Sequence, residues 1–341
     1  MIRVLIVDDS AFARKVLRES LQTNPLIEIV GAARDGVEAL ELIAQLQPDV
    51  ITLDLIMPNL DGVGVLRALS EQNRRRVLLV SMADANSDVA MEALTLGAFD
   101  LVHKPTALAL QSLRDISAEL VLKVQIAAAA SGTALTSIVE TKSKEPSFRA
   151  DSTPVQVVVV GTSTGGPQAI SKLLRALPAD LRVPLLAVIH IPPGYTASLA
   201  ERLNADSAVT VVEASQDLRL RPGLVVIAQA GIHLRLLSDA GGLKLNLDSE
   251  PRSSIHCPAV DVLFESAAAA CGRNTLGVVL TGMGNDGLLG SQKIVAAGGQ
   301  VLTQDEATCV VYGMPRVVME AGLSAAEVAM DDMAAAILAR I

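Results

Sequence analysis

The strongest constraint on this chain is a rhythm: short β-branched runs alternate with helical stretches from its first residues onward. Residues 4–7, 27–32, 50–53, 77–81 and 100–103 read as strands, and residues 11–21 and 37–45 between them carry helical patterns. Strands in a parallel sheet covered on both faces are near-continuously apolar, and each parallel step needs a crossover long enough for a helix. Repeated βαβ units therefore fit five strands into the first 120 or so residues, at the scale of one domain. A helical stretch rich in Ala and Leu follows over residues 108–130. The composition then shifts to Ser, Thr, Lys, Glu and Pro over residues 131–154, as expected of an exposed linker. Strand-like runs resume at residues 155–160, 185–189, 224–228, 276–281 and 300–303. The expected fold class is α/β, with two doubly wound domains of mainly parallel sheet. Residues 1–121 form the first domain, 122–152 a helical extension and flexible linker, and 153–341 the second domain.

Composition narrows the partners. The formal net charge is −9, aromatics make up 2% and Trp is absent, which disfavours a nucleic-acid surface built from basic grooves and stacking rings. Cys257, Cys271 and Cys309 are too widely spaced for a Cys-x-x-Cys site and odd in number, which fits a reducing compartment. The leading apolar run is too short for a secretion signal, and no apolar stretch of about 18 residues could span a bilayer. A soluble, cytoplasmic protein without nucleic-acid partner or direct membrane insertion is expected.

Ligands of open parallel sheets bind beyond the carboxyl ends of the strands. In the first domain those ends carry Asp8 and Asp9, Asp54, Ser81 and Lys104. Three carboxylates placed together repel unless a cation neutralises them, and hard oxygen ligands suit Mg²⁺ together with a phosphoryl group. Lys104 would supply a point charge, Ser81 a hydroxyl donor and Asp54 a carboxylate able to form an aspartyl-phosphate. The plainer reading is helix capping, as Asp9-Ser10 could do for residues 11–21. Taken together, Val7-Asp8-Asp9-Ser10, Leu53-Asp54-Leu55-Ile56-Met57-Pro58, Ser81-Met82-Ala83 and Lys104-Pro105 resemble a response-regulator receiver domain, a flavodoxin-like fold. The resemblance implies phosphorylation of Asp54 by a sensor histidine kinase and Mg²⁺ held by Asp8, Asp9, Asp54 and the carbonyl of Ile56. It also implies phosphoryl contacts from Ser81 and Lys104. Many receivers carry a switch aromatic where the fifth strand here offers Leu101.

In the second domain, a strand runs into Gly161-Thr162-Ser163-Thr164-Gly165-Gly166-Pro167 and then a helix. Neither phosphate-loop pattern is met, whereas Gly-x-Ser-x-Gly is satisfied literally and reads as a nucleophile elbow. A serine nucleophile needs a base and an orienting carboxylate. His190 follows the strand-like run 185–189, and Asp286 lies past residues 276–281. His233 and His256 are rival bases. A histidine at a strand end is also commonly a buried hydrogen-bonded residue, and an Asp in a Gly-rich turn often caps the next helix.

The stretch from about residue 153 to the end resembles the catalytic domain of chemotaxis protein-glutamate methylesterases, a Rossmann-like hydrolase. The matching segments are Gly161-Thr-Ser163-Thr-Gly-Gly-Pro, His190-Ile-Pro-Pro-Gly-Tyr-Thr196, Pro258-Ala-Val-Asp261-Val-Leu-Phe and Leu280-Thr-Gly-Met-Gly-Asn-Asp286-Gly. Thr162, Ala259 and Gln229-Ala230-Gly231 depart from the residues usual at those positions. The resemblance implies Ser163 as nucleophile, His190 as general base then acid, and Asp286 as its orienter. The oxyanion would lie at backbone donors near Thr164 and Met283. It further implies hydrolysis of γ-glutamyl methyl esters on methyl-accepting chemotaxis receptors with release of methanol, deamidation of receptor glutamines, and no cofactor for ester hydrolysis. The unphosphorylated receiver would obstruct the Ser163 rim. The rival reading is a phosphorylation-dependent binding module whose second domain is catalytically silent.

Overall fold

The computed structural model describes residues 1–74, 76–81, 87–104, 112–132, 154–252 and 254–341, without the side chains of residues 71, 72, 112–116, 131 and 132. The chain divides into two compact units, Met1–Val139 and Glu140–Ile341. Residues 133–153 of the expected linker, and residues 108–111 of the expected helix before it, lie outside the described residues.

In the first unit the strands are β1 (Ile2–Val7), β2 (Ile27–Ala33), β3 (Val50–Leu53), β4 (Val77–Ser81) and β5 (Asp100–His103). The helices are α1 (Ala11–Leu21), α2 (Gly36–Leu46), α3 (Gly62–Ala68), α4 (Glu71–Arg74), α5 (Ser87–Thr95) and α6 (Ser112–Gly132). All pairings are parallel, in the order β2-β1-β3-β4-β5, the flavodoxin-like winding. Every residue of β3 and β4 is buried, as their uninterrupted apolar runs require. Polar residues stop the strands and start the helices: Ser10, Asp35 and Asp61 each accept a backbone N–H of the first turn of α1, α2 and α3. α6 is tied to β5 by Lys123, whose Nζ donates to the Leu101 carbonyl at 2.7 Å and pairs with Asp100 at 3.2 Å and Glu119 at 3.0 Å.

The second unit has strands β6 (Val157–Thr162), β7 (Leu185–Ile189), β8 (Thr210–Glu213), β9 (Leu224–Ile227), β10 (His233–Asp239), β11 (Gly242–Asp248), β12 (Thr275–Val279), β13 (Gln300–Gln304) and β14 (Ala326–Val328). Its helices are α7 (Gly166–Arg175), α8 (Thr196–Asp206), α9 (Val260–Cys271), α10 (Leu288–Ala296), α11 (Met314–Glu320) and α12 (Met333–Leu338). Seven strands form a parallel sheet in the order β14-β13-β12-β6-β7-β9-β8. β10 and β11 form a separate antiparallel hairpin. Four strands go beyond the sequence reading: β8, β14, β10 and β11. β8 and β14 are short strands at the two edges of the sheet, where half-exposed residues dilute the apolar signal.

The central strand β6 has Val157, Val158, Val159 and Val160 fully buried. α9 lies against its end so closely that a Cβ at Gly161 would collide with the Val260 side chain. Only glycine permits that approach, and it brings the first turn of α9 to the rim where the strands end. No helix among the described residues is long and apolar enough to cross a membrane.

Candidate active site

In an open sheet the binding crevice forms where neighbouring strands send their connections to opposite sides. In the first unit that point lies between β1 and β3, which are paired in the middle of the sheet. Asp8 and Asp9 follow β1, Asp54 follows β3, Ser81 ends β4 and Lys104 follows β5, so the expected residues do share one rim. Lys104 Nζ lies 2.7 Å from Asp54 Oδ2 and 2.8 Å from Asp8 Oδ2. Asp8 and Asp54 are buried while Asp9 is exposed. Burial pushes the Asp54 carboxyl above its ordinary range, helped by the neighbouring Asp8 and opposed by the Lys104 hydrogen bond. Burial works against the Lys104 charge too, but its bonds to Asp54 and Asp8 prevail and raise it.

Carboxylate oxygens of Asp8, Asp9 and Asp54 lie within 4.8 Å of one another. Three carboxylates against one ammonium leave a negative, all-oxygen donor set, and that chemistry fits Mg²⁺. Ile56 stands in the loop after Asp54 with its side chain half-exposed. Ser81 is buried, and its carbonyl accepts the Lys104 N–H at 2.8 Å. Helix capping falls to Ser10 rather than Asp9; Asp8 Oδ1 instead accepts the Ser10 N–H at 2.8 Å. Leu101 is fully buried in β5. Met82, Ala83 and Pro105 of the quoted motifs lie outside the described residues.

The corresponding point of the second unit lies between β6 and β12, which are paired. Ser163 is the first residue past β6 and His190 the first past β7, and the strands pair in register at Thr162 and Ile189. Two side chains far apart in sequence thus sit one step beyond neighbouring positions of a parallel ladder. The His190 N–H donates to the Thr162 carbonyl and the Ser163 N–H to the Thr281 carbonyl, both at 3.1 Å, pinning both residues to the sheet edge. His190 Nε2 lies 2.9 Å from Asp286 Oδ2. Its Nδ1 is shielded from solvent and has no hydrogen-bond partner among the described residues. With Nε2–H directed at the carboxylate, Nδ1 is the nitrogen left with a lone pair. That reverses the ring assignment of the serine-protease template, in which the carboxylate takes Nδ1.

Asp286 is buried and holds more than the imidazole. Its oxygens also accept the N–H groups of Val260 and Asp261 at 2.8 Å each, at the first turn of α9. Asp261 replies by accepting the Gly287 and Gly290 N–H groups at 2.9 and 2.7 Å, locking the two segments together. Burial pushes the Asp286 carboxyl up, but the bonds from His190, Asp261 and Val260 outweigh it and hold it below its ordinary value. Helix N-termini favour negative charge. The sequence reading quoted Asp261 within a motif without a role; no local pattern shows that an aspartate on a helix will hold backbone groups 26 and 29 residues away.

Gly282 brings its backbone against the serine: a Cβ there would stand 2.9 Å from Ser163 Cβ and 2.9 Å from Ser163 N. Met283, half-buried, comes next, and its N–H is in none of the hydrogen bonds among the described residues. Thr164 is buried, its carbonyl accepting the Thr281 hydroxyl at 3.0 Å. Of the rival bases, His233 is almost fully buried and its Nδ1 accepts the Ala259 N–H at 3.1 Å, a structural engagement. His256 stacks on His190, ring centroids 4.0 Å apart and planes within 19°.

Comparisons with known proteins match each of the two units. The CheB methylesterase family model matches residues 158–337, and the response regulator receiver domain model matches residues 4–118. Protein-glutamate methylesterase/protein-glutamine glutaminase 5 of Myxococcus xanthus (strain DK1622) is 52% identical, covering 98% of this chain and 96% of that one. The protein-glutamate methylesterase/protein-glutamine glutaminase of Thermotoga maritima is 38% identical, covering 94% and 93%. The crystal structure of the Thermotoga maritima CheB methylesterase catalytic domain superposes with a TM-score of 0.54 at 36% identity, covering 55% of this chain and all of that one.

Proposed function

Because the chain belongs to the CheB methylesterase family and carries a response regulator receiver domain ahead of its hydrolase unit, we propose that it is a phosphorylation-activated protein-glutamate methylesterase of bacterial chemotaxis. Its substrates are γ-glutamyl methyl esters of chemoreceptors, and the names of its relatives support deamidation of receptor glutamines as well. A silent binding module has no support among relatives carrying those names. The observation that carries the reading is the Ser163–His190 adjacency across β6 and β7, with Asp286 on the imidazole.

Ser163 Oγ attacks the γ-carbonyl carbon while His190 Nδ1 takes its proton. Asp286 holds the ring and stabilises the imidazolium. The serine and imidazole are not hydrogen-bonded as they stand, a looseness common before substrate binds. Backbone N–H groups at Met283 and near Thr164 face the developing oxyanion, and one such donor is typically worth about 3 kcal/mol of barrier. The proton on His190 then leaves with methanol, or with ammonia from a glutamine. Water, deprotonated by His190, cleaves the acyl-serine to give the free carboxylate and restore Ser163.

In the receiver, residues 1–121 in this reading, Asp54 accepts phosphate from a sensor histidine kinase. Asp8, Asp9, Asp54 and the Ile56 carbonyl would hold Mg²⁺, which when bound neutralises charge between the carboxylates and the phosphoryl oxygens. Lys104 and Ser81 contact the phosphoryl group, and phosphorylation relieves a restraint on the catalytic unit, residues 153–341. In this reading the protein acts in the cytoplasm. The test is methanol release from methylated receptor membranes: Ser163→Ala and His190→Ala each abolish it, and turnover by Ser163→Ala would end the triad assignment.

A further inference from the structure

His190 is anchored through one ring atom, Nε2, at 2.9 Å from Asp286 Oδ2. One hydrogen bond fixes that nitrogen; the plane of the buried ring, and with it the direction of Nδ1, is set by what packs against its faces. No hydrogen bond to Nδ1 among the described residues sets that plane.

His256 covers one face of the ring, its centroid 4.0 Å away and its plane 19° from parallel. Its placement does not depend on that contact. Ile255 and Cys257 on either side are exposed, Ile255 at 92%, while His256 turns in and Pro258 and Ala259 are buried. The Gly231 N–H donates to the Cys257 carbonyl at 2.9 Å, and the Ala259 N–H donates to the buried His233 at 3.1 Å. The chain directly after His256 is therefore tied at two points to the start of β10, and it presents the His256 ring to His190.

Resting on the triad reading above, we propose that His256 is a positioning residue: by ring stacking it sets the plane of the His190 imidazole so that Nδ1 faces Ser163. A flat π face also tolerates the imidazolium that forms during turnover, as cations over aromatic faces do.

The test uses the full chain, activated by a phosphodonor, with methanol release from methylated receptor membranes as readout. His256→Leu fills the space without a flat ring and lowers kcat by roughly ten- to a hundredfold, the scale of a small misplacement of a reacting group, with KM little changed. His256→Phe restores a stacking surface without titration or hydrogen bonding and recovers most of kcat. Labelling of Ser163 by a sulfonyl fluoride follows the same order. Wild-type kcat in His256→Leu, or a His256→Phe variant as slow as His256→Leu, overturns the proposal. Ser163→Ala and His190→Ala run alongside: turnover by either removes the triad and this inference together. Inactivity of both beside a fully active His256→Leu removes this inference alone.

Discussion

At Asp286 a single carboxylate serves three donors, His190 Nε2 and the N–H groups of Val260 and Asp261. Asp286→Asn keeps the size but loses the charge, and its amide cannot accept all three while holding the imidazole with Nδ1 unprotonated. We expect kcat to fall on the order of a thousandfold or more, measured as methanol release. The native carboxyl lies below its ordinary 3.8, so its stabilisation is present above that value and is lost as pH falls through the lowered native one. Acid melting curves of the wild type should therefore fall more steeply below pH 4 than those of Asp286→Asn. Asp54 has the opposite sign. Its native carboxyl is raised by burial, so the ionised form costs stability at neutral pH and protonation on acidification relieves that cost. Without divalent cation, Asp54→Asn should raise the receiver transition of the full chain, since Lys104 keeps its pair with Asp8, read by thermal denaturation at pH 7. An unchanged or lower transition would refute the assignment of burial as the dominant effect.

Among the elements, α6 and β5 are joined by a charge cluster rather than by apolar contact alone. Burial opposes the Lys123 charge, but Asp100 and Glu119 prevail and raise its affinity for the proton. Its stabilisation is complete below the ordinary lysine value and is lost as pH rises through the raised one. Lys123→Met would remove one cation from the buried Asp100 and the donor to the Leu101 carbonyl, and should destabilise the receiver, seen as a lower midpoint in urea. The strands of this unit were legible because each is a short apolar run bounded by polar residues, and α1, α2 and α3 each start at a Ser or Asp that caps the first turn. The β10–β11 hairpin was missed although its signal is present: Leu234, Leu236 and Leu245 point inward in alternation, and Ala240-Gly241 makes the two-residue connection. In the sequence the stretch passes for one of the helical or Gly-rich segments between parallel strands.

For the whole molecule, the prediction concerns dependence of the hydrolase on the receiver. A chain beginning near Ser152 keeps the second compact unit and its own core, and its esterase activity should exceed that of the unphosphorylated full chain. Equal or lower activity would argue against restraint by the receiver. A phosphodonor should activate the full chain, and chelation of divalent cations should abolish that activation while leaving basal hydrolysis intact.

What the sequence determined by itself was the α/β class of both domains and the inner strands of their parallel sheets, with the polar residues that end them. Apolar runs broken by helical stretches dictate parallel strands, and parallel strands deliver their polar end residues to one edge. Tertiary structure alone decided which nitrogen of His190 the carboxylate takes, that the first turn of α9 supplies two donors to Asp286, and that His256 is a plate against the base rather than its rival. Those contacts join segments that are distant in the chain, through close approaches that only packing sets, so no local pattern of residues could encode them.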